Sequence, residues 1–382
     1  MRIAHTADWH IGKMLCEYSL LKDQEACLFE FSNRLHTLKV DALIISGDLY
    51  DRSIPSAEAV SLLDRLFYHL TEECGIEVFA IAGNHDSRER IDFGSRLMHS
   101  AGLHLVGSVR LPACSFDLKK NNELLTFWML PYFELHHIRA LFPEVQLNSL
   151  QDAFTFYIAQ IRQQMDRSHP HILVAHGFFT AGYAEHEKAV GGSEHLVLYD
   201  NPFDYVALGH LHAPQTAGGK TIRYAGSPLK YSIDEAAQKK QFLVVDFQDG
   251  VLREIQQEPF SASKDVQIIR GSLDSLCDNN AHTNCQDYVF AELTDDHIRV
   301  GAIQRLKSVY PNALGLKYIN LQNRVPAPVA AAPTALKTKT QDLFAAFFQS
   351  VMNRSLSAEE RAYLNKAASN TEGMKIHDTG SA

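Results

Sequence analysis

The chain has no run of about 18 uncharged apolar residues, which excludes a membrane-spanning helix of ordinary length. Its opening, Met1-Arg2-Ile3-Ala4-His5-Thr6-Ala7-Asp8, lacks the apolar core of about 7–15 residues that a secretory signal needs, so export is not expected. The six cysteines (Cys16, Cys27, Cys74, Cys114, Cys277 and Cys285) contain no Cys-x-x-Cys pair, which argues against a thiolate zinc site. They fit a reducing cytoplasm and read as small buried hydrophobes. No Gly-x-x-x-x-Gly-Lys-Ser/Thr loop occurs, so the chain is not expected to be an ATP-driven motor itself. Positive charge is also short: 36 Lys and Arg stand against 45 Asp and Glu, a net of −9. That excludes a generic nucleic-acid coat, whose affinity comes from cationic side chains on phosphates. A metalloenzyme escapes the objection, because bound cations offset acidic ligands where a phosphate sits.

What is present is a globular composition, 46% hydrophobic and 21% charged, on 382 residues, a length that suggests two or three domains. Five short apolar runs each end in polar residues. Residues 2–7 lead into Asp8-Trp9-His10, 41–46 into Gly47-Asp48, and 77–82 into Gly83-Asn84-His85-Asp86. Residues 171–175 lead into His176-Gly177, and 204–208 into Gly209-His210-Leu211-His212. Such runs predict buried strands. Helical spacing lies between them, over 21–38 with Leu28, Phe31 and Leu35, and over 57–70 with Val60, Leu63, Leu66, Phe67 and Leu70. Alternating strand and helix predicts an α/β domain over residues 1–262, with its functional groups gathered beyond the strands' carboxyl ends.

Residues 263–324 predict a small separate α+β domain. Its expected order is strand 266–269, a helix capped by Ser272 through Leu276, strand 288–293, helix 301–309 and strand 316–321. Prolines 326, 328 and 333 among alanines make 325–340 a linker. In 341–368, Leu343, Phe344, Phe347, Phe348 and Val351 form one helical face, and Ser357-Ala358-Glu359-Glu360 opens a second helix as a capping box. The apolar face could fold back on this chain or lie against a partner, and its flexible tether favours the partner. The tail, 369–382, is polar and expected to be disordered.

The five clusters pool two carboxylates, an amide and four or five imidazoles. In a strand, residues two apart share a side, so Asp8 with His10, and His210 with His212, could each reach one ion. Mixed oxygen and nitrogen donors suit Mn²⁺, Fe or Zn²⁺ better than Ca²⁺. Seven donors exceed one tetrahedral site, so two ions are the economical reading, held about 3.5–4 Å apart by a shared carboxylate. An isolated histidine after a strand is more often a packing residue. The ordered set of five is the informative feature.

Asp8-x-His10, Gly47-Asp48, Gly83-Asn84-His85-Asp86, His176 and Gly209-His210-x-His212 resemble, in order, the motifs of the calcineurin-like metallophosphoesterases. The opening His5-Thr6-Ala7-Asp8-Trp9-His10-Ile11-Gly12 and the stretch Gly47-Asp48-Leu49-Tyr50-Asp51-Arg52-Ser53-x-Pro55 are similar to the nuclease subunits of bacterial SbcCD complexes. The resemblance implies a β-sandwich flanked by helices, a small capping domain and a helical partner-binding segment. It assigns Asp8, His10, Asp48 and His212 to one cation and Asp48, Asn84, His176 and His210 to the other, most often Mn²⁺, with Mg²⁺, Fe or Zn²⁺ as alternatives. His85 would face the scissile phosphate and protonate the leaving oxygen. Also implied are DNA ends and hairpins as substrates, 3′-to-5′ exonuclease and hairpin endonuclease action, and a role in DNA repair. The partner would be an SbcC-type ATPase whose coiled coil the terminal helices grip, in a heterotetramer of two copies of each subunit. The nuclease copies would pair near residues 55–110, in a cytoplasmic, nucleoid-associated complex.

Asp51 stands where some relatives carry a second phosphate-handling histidine, and the following Arg52 could contact phosphate or be an exposed loop residue. Asp86 could orient His85 or cap the following helix. His5 reads as support for the first strand, and the remaining histidines as surface or packing residues. Lys13, Arg88, Arg90, Lys230, Lys239 and Lys240 could line a DNA path, with a solvated face as the default. Two rival readings stand beside the nuclease. One is a stand-alone metallophosphatase or cyclic-nucleotide phosphodiesterase, because a Gly-Asp-x-x-Asp-Arg turn also occurs in protein phosphatases. The other is a non-catalytic scaffold subunit.

Overall fold

The computed structural model describes residues 1–180, 195–278, 285–322, 344–345, 348–349 and 354–364. The chain divides into two compact units, Met1–Ile268 with Thr283–Phe290 and Tyr310–Leu314, and Ile269–His282 with Ala291–Val309 and Gly315–Ala382.

Two six-stranded sheets dominate the first unit. One runs Val251–Pro259, Gln241–Gln248, Arg2–Thr6, Ala42–Ile45, Glu77–Ile81, Leu103–Val106, and the other Gln215–Thr216, Ile222–Tyr224, Tyr205–Gly209, His171–His176, Glu123–Leu130, Ser115–Lys120. The strands that feed the five polar clusters pair in parallel. Their carboxyl ends therefore lie along one rim of each sheet.

Strand periodicity builds the layers. Ile3, Ile44, Phe79 and Ile81 of the first sheet meet Phe127, Met129, Ile172 and Val174 of the second in an apolar middle layer. The Phe79 and Phe127 rings stack there with centroids 3.9 Å apart. The alternate residues Ala4, Leu43, Ile45 and Ala80 face the helices Leu21–Thr37 and Ala57–Tyr68. Leu173, Ala175, Val206 and Leu208 face the helix Leu150–Gln164 through Phe154, Tyr157 and Ile161. The result is the helix-flanked β-sandwich that the motifs implied. Burying each large apolar side chain of these layers contributes about 1.5–3 kcal/mol.

Several expectations need correction. Val60 is exposed; the buried face of its helix is Ala59, Leu62, Leu63, Leu66 and Phe67. The last strand of the small sheet spans Ala313–Tyr318 instead of 316–321, and Ile319–Gln322 turns into a helix. Pairing decides this: Val289 N–H donates to the Asn312 carbonyl and sets the register earlier. Of the cysteines only Cys27 is buried, while Cys16 and Cys285 are exposed. Ser272 does cap its helix, accepting from Ser275 N–H, and Ser357 and Glu360 bond reciprocally as a capping box. Leu343, Phe347 and Val351, the linker 325–340 and the tail 369–382 lie outside the described residues. Phe344 is about half exposed, and the Arg354 guanidinium lies 5.0 Å from the Phe348 ring centre. Among the described residues, no helix is long and apolar enough to cross a membrane.

Candidate two-cation site

The rim above the two sheets collects the candidate ligands. Asp8 and His10 follow Arg2–Thr6, Asp48 follows Ala42–Ile45, and Asn84 follows Glu77–Ile81. His176 ends its strand, and His210 and His212 follow Tyr205–Gly209. The pleat is not what aims these pairs. Asp8 and His10 lie beyond the strand with φ of 53° and 44°, while Asp48 has φ 50° and His210 φ 108°. Each such residue costs about 1–3 kcal/mol of strain, held here by hydrogen bonds such as Asp8 N–H to Gly47 O and His10 N–H to Asp48 O. Nor do His210 and His212 converge. His212 turns towards His10, with Nε2 to Nε2 at 3.1 Å, and His210 towards Asn84, with Nδ1 to Oδ1 at 3.1 Å.

Glycines make room for this crowding. Gly47 needs its φ of +89°, and a Cβ there would lie 2.2 Å from His176 Nδ1. A Cβ on Gly83 would lie 2.1 Å from Asp48 Oδ1, so that glycine serves close approach instead of a left-handed turn.

The Asp48 carboxylate sits centrally. Its Oδ2 is 3.4 Å from His10 Nε2 and 3.5 Å from His176 Nε2, and its Oδ1 accepts from His85 N–H at 2.9 Å. Asp8 is fully buried and accepts from His210 N–H at 2.9 Å. Burial, reinforced by Asp48, pushes the Asp8 carboxyl well above its ordinary value. Burial likewise raises Asp48, opposed by His85. Burial lowers His176 to about 3 and, helped by His176, His210 to about 4. Burial and the neighbouring His212 depress His10 as well.

The imidazole protons are assigned by their partners. His176 Nδ1 faces the Ser46 carbonyl at 2.8 Å and donates to it. Its Nε2 is then a lone pair facing Asn84 Oδ1 at 3.0 Å and Asp48 Oδ2 at 3.5 Å. His212 Nδ1 donates to Glu235 Oε1 at 2.9 Å, which leaves Nε2 bare towards His10. His10 Nδ1 is buried without a hydrogen-bond partner. The His176 and His212 Nε2 lone pairs converge with the Asp8 and Asp48 carboxyl oxygens, and divalent cations fit that set of donors. Asp8, His10 and His212, then Asp8, Asp48 and His176, and then His10, Asp51 and His85, each offer donor atoms within 4.8 Å of one another.

His85 lies at the exposed edge of this cluster, in the donor group it shares with His10 and Asp51. Its ring is exposed, edge-on to His10 at 4.8 Å, and Nδ1 donates to the Asp51 backbone carbonyl at 2.9 Å, leaving Nε2 free. Asp51 thus orients His85 through its backbone, while its carboxylate takes the Lys13 ammonium at 2.8 Å. Arg52 is exposed, 3.7 Å from Asp51. Asp86 fills neither expected role. Its carboxylate accepts from Gly83, Leu49 and Tyr50 N–H and staples two ligand loops together, and Ser87 caps the helix instead.

Sequence reasoning missed the supports. Gln24 Nε2 donates to the Trp9 and His10 carbonyls, and Glu235 holds His212. Burial opposes the Glu235 charge, yet the His212 bond and the Lys240 ammonium hold its carboxyl down at about 2. Lys230 and Lys240, expected on a solvated face, are largely buried ion-pair partners of Asp265 and Glu235. His5 is a support as expected: it bonds Tyr205 Oη and Ser46 Oγ and touches no ligand atom.

The calcineurin-like phosphoesterase family matches residues 1–214, which carry every donor above. The chain belongs to this family. Residues 263–352 match a second family, described as the type 5 capsule protein repressor C-terminal domain. SbcD, the nuclease subunit of SbcCD, from Staphylococcus epidermidis is 31% identical over 324 residues, 84% of this chain and 86% of that protein. Solved structures overlap this phosphoesterase only in part. A hypothetical protein from Thermus thermophilus aligns at a TM-score of 0.37 and 13% identity over 68% of this chain and all of the other. The calcineurin-like phosphoesterase YfkN from Bacillus subtilis aligns at 0.34 and 12%, over 68% and 90%.

Proposed function

We propose that this phosphoesterase is the nuclease subunit of an SbcCD-type complex, cleaving DNA phosphodiesters with two divalent cations, Mn²⁺ foremost. The observation that carries the reading is the Asp48 carboxylate held between His10 and His176 at 3.4 and 3.5 Å. Asp8, His10, Asp48 and His212 would hold one cation, and Asp48, Asn84, His176 and His210 the other. Bound there, the pair supplies Lewis-acid stabilisation of the phosphoryl oxygens and an activated water at neutral pH. The chain's own residues supply position and protons. His85, fixed by Nδ1–H on the Asp51 carbonyl, presents Nε2 to the solvent side of the site and, as the imidazolium with a proton on Nε2 as well, gives that proton to the leaving oxygen. Gln24 and Tyr231 hold the Trp9 and His10 backbone, so the strained loop keeps its donors aimed. Arg52, exposed beside Asp51, would contact a phosphate of the substrate.

The SbcC-type ATPase is the partner we assign to the terminal segment, whose described Phe344 is about half exposed. A partner also supplies the basic surface that a chain of net charge −9 lacks. With Mn²⁺ and that ATPase, end-labelled duplex DNA should be shortened in an ATP-dependent manner, and chelation should stop it. Hydrolysis of phenyl phosphate monoesters with DNA left intact would overturn the reading in favour of a phosphatase.

A second copy of the chain is the occupant we assign to the surface around Ala57–Tyr68 and Ser95–Met98. Phe93 and Leu97 are each 82% exposed, and Val60, Phe67, Tyr68 and Met98 line a cavity of about 860 Å³ beside them. An exposed apolar patch of this kind is the sort of surface that a partner covers. Phe93→Arg with Leu97→Glu should convert a dimer to a monomer in sedimentation velocity while cation binding persists. A double variant that still sediments as a dimer removes this surface from the assembly.

A further inference from the structure

His212 is gripped at both ends by a buried ion pair that takes no place among the cation-facing atoms. Glu235 ends the short turn Ile233–Glu235 and is 6% exposed. Its Oε1 accepts from His212 Nδ1 at 2.9 Å, and its Oε2 accepts from Lys240 Nζ at 2.6 Å and Tyr231 N–H at 3.2 Å. The His212 carbonyl at 2.9 Å, Ser227 Oγ at 2.8 Å and Gln238 Oε1 at 2.7 Å share the two remaining N–H groups of the same ammonium. One lysine thus fixes both the backbone of His212 and the carboxylate that orients its ring. The other oriented imidazoles differ. His176 and His85 give their Nδ1 protons to neutral backbone carbonyls, of Ser46 and Asp51.

A carboxylate behind an imidazole makes the far nitrogen a better donor than a carbonyl does, and it locks the tautomer. We propose that Glu235 and Lys240 are positioning residues that make the two cation sites unequal, tightening the ion held by His212 over the ion held by His176 and His210. The proposal rests on the two-cation reading above. Lys240 holds the Glu235 carboxylate in place, so the effect passes from Lys240 to Glu235 to His212 Nε2. No link in that chain involves His85 or the substrate.

Calorimetric titration of the metal-stripped full-length chain with Mn²⁺ tests it without any turnover. The parent should take up two ions. Glu235→Ala should weaken one of them by about 10–100-fold, the range typical for loss of a carboxylate behind a ligand histidine, and leave the other unchanged. Glu235→Gln keeps an acceptor for His212 Nδ1 at the same size, so it should recover part of that loss. It also carries the test if the alanine variant does not fold. Lys240→Met should weaken the same ion and not the other. At a Mn²⁺ concentration that just fills both sites of the parent, electron paramagnetic resonance should report a single Mn²⁺ in the variants in place of the parent's coupled pair. Two ions bound by both Glu235 variants as in the parent, or both weakened alike, overturn the inference. A parent chain that binds no ions overturns the two-cation reading itself, and the inference with it.

Discussion

His85→Ala should leave both cations bound and lower strand cleavage by about 10²–10⁴-fold, the usual contribution of a placed general acid. The separation of roles is structural. The Asp48 carboxylate accepts from the backbone N–H of residue 85, a bond that alanine keeps. The ring bonds the Asp51 carbonyl and meets the edge of His10, and it belongs to neither the Asp8, His10 and His212 nor the Asp8, Asp48 and His176 donor group, so removing it leaves both of those groups whole. Mn²⁺ titration should therefore match the parent while DNA turnover collapses. Loss of metal together with activity would mean that the ring props up the ligands and is not the proton donor.

Gly83→Ala should do the opposite, removing metal and activity together although the side chain added is one methyl group. The new Cβ would stand 2.1 Å from Asp48 Oδ1 and 2.3 Å from Asp48 N, contacts that no real Cβ makes. Neither side can yield cheaply. Gly83 N–H is tied to Asp86 Oδ2 at 2.9 Å, and that carboxylate also holds Leu49 and Tyr50. Overpacking of this kind costs about 1–3 kcal/mol and here displaces the central ligand. Gly219→Ala is the control, since its Cβ meets only Ile222 at 3.8 Å. A Gly83→Ala chain with parental Mn²⁺ uptake would show that Asp48 tolerates displacement and is not the shared donor.

Legibility in the sequence followed local signal. The parallel strands announced themselves because each is a short apolar run closing on Gly, Asp or His, and Ala42–Ile45 and His171–His176 are buried along their whole length. The antiparallel edges gave no such cue. Val251–Pro259 is mostly exposed and carries Arg253, Glu254 and Glu258, so hydrophobic periodicity passes over it. The donors were legible as residue types at strand ends. Their aim was not, because it comes from left-handed backbone at Asp8, His10 and Asp48 instead of from the pleat. Glu235 was invisible for another reason: nothing local links it to a histidine 23 residues earlier. Asp86 misled because it precedes a helix, where an acidic residue ordinarily caps. Here a serine one place later does so, and the aspartate is released for stitching loops.

The donors are shared out between the sheets, with Asp8, His10, Asp48 and Asn84 rising from one and His176, His210 and His212 from the other. The gap across the rim is therefore governed by how thick the greasy filling is beneath it, where Phe79 lies flat on Phe127 at 3.9 Å. A close-packed interior transmits changes of a single methylene. On the two-cation reading, ionic radius preference should therefore depend on this hydrocarbon floor as well as on the ligands, and tuning which metal is accepted can begin a full layer below the chemistry.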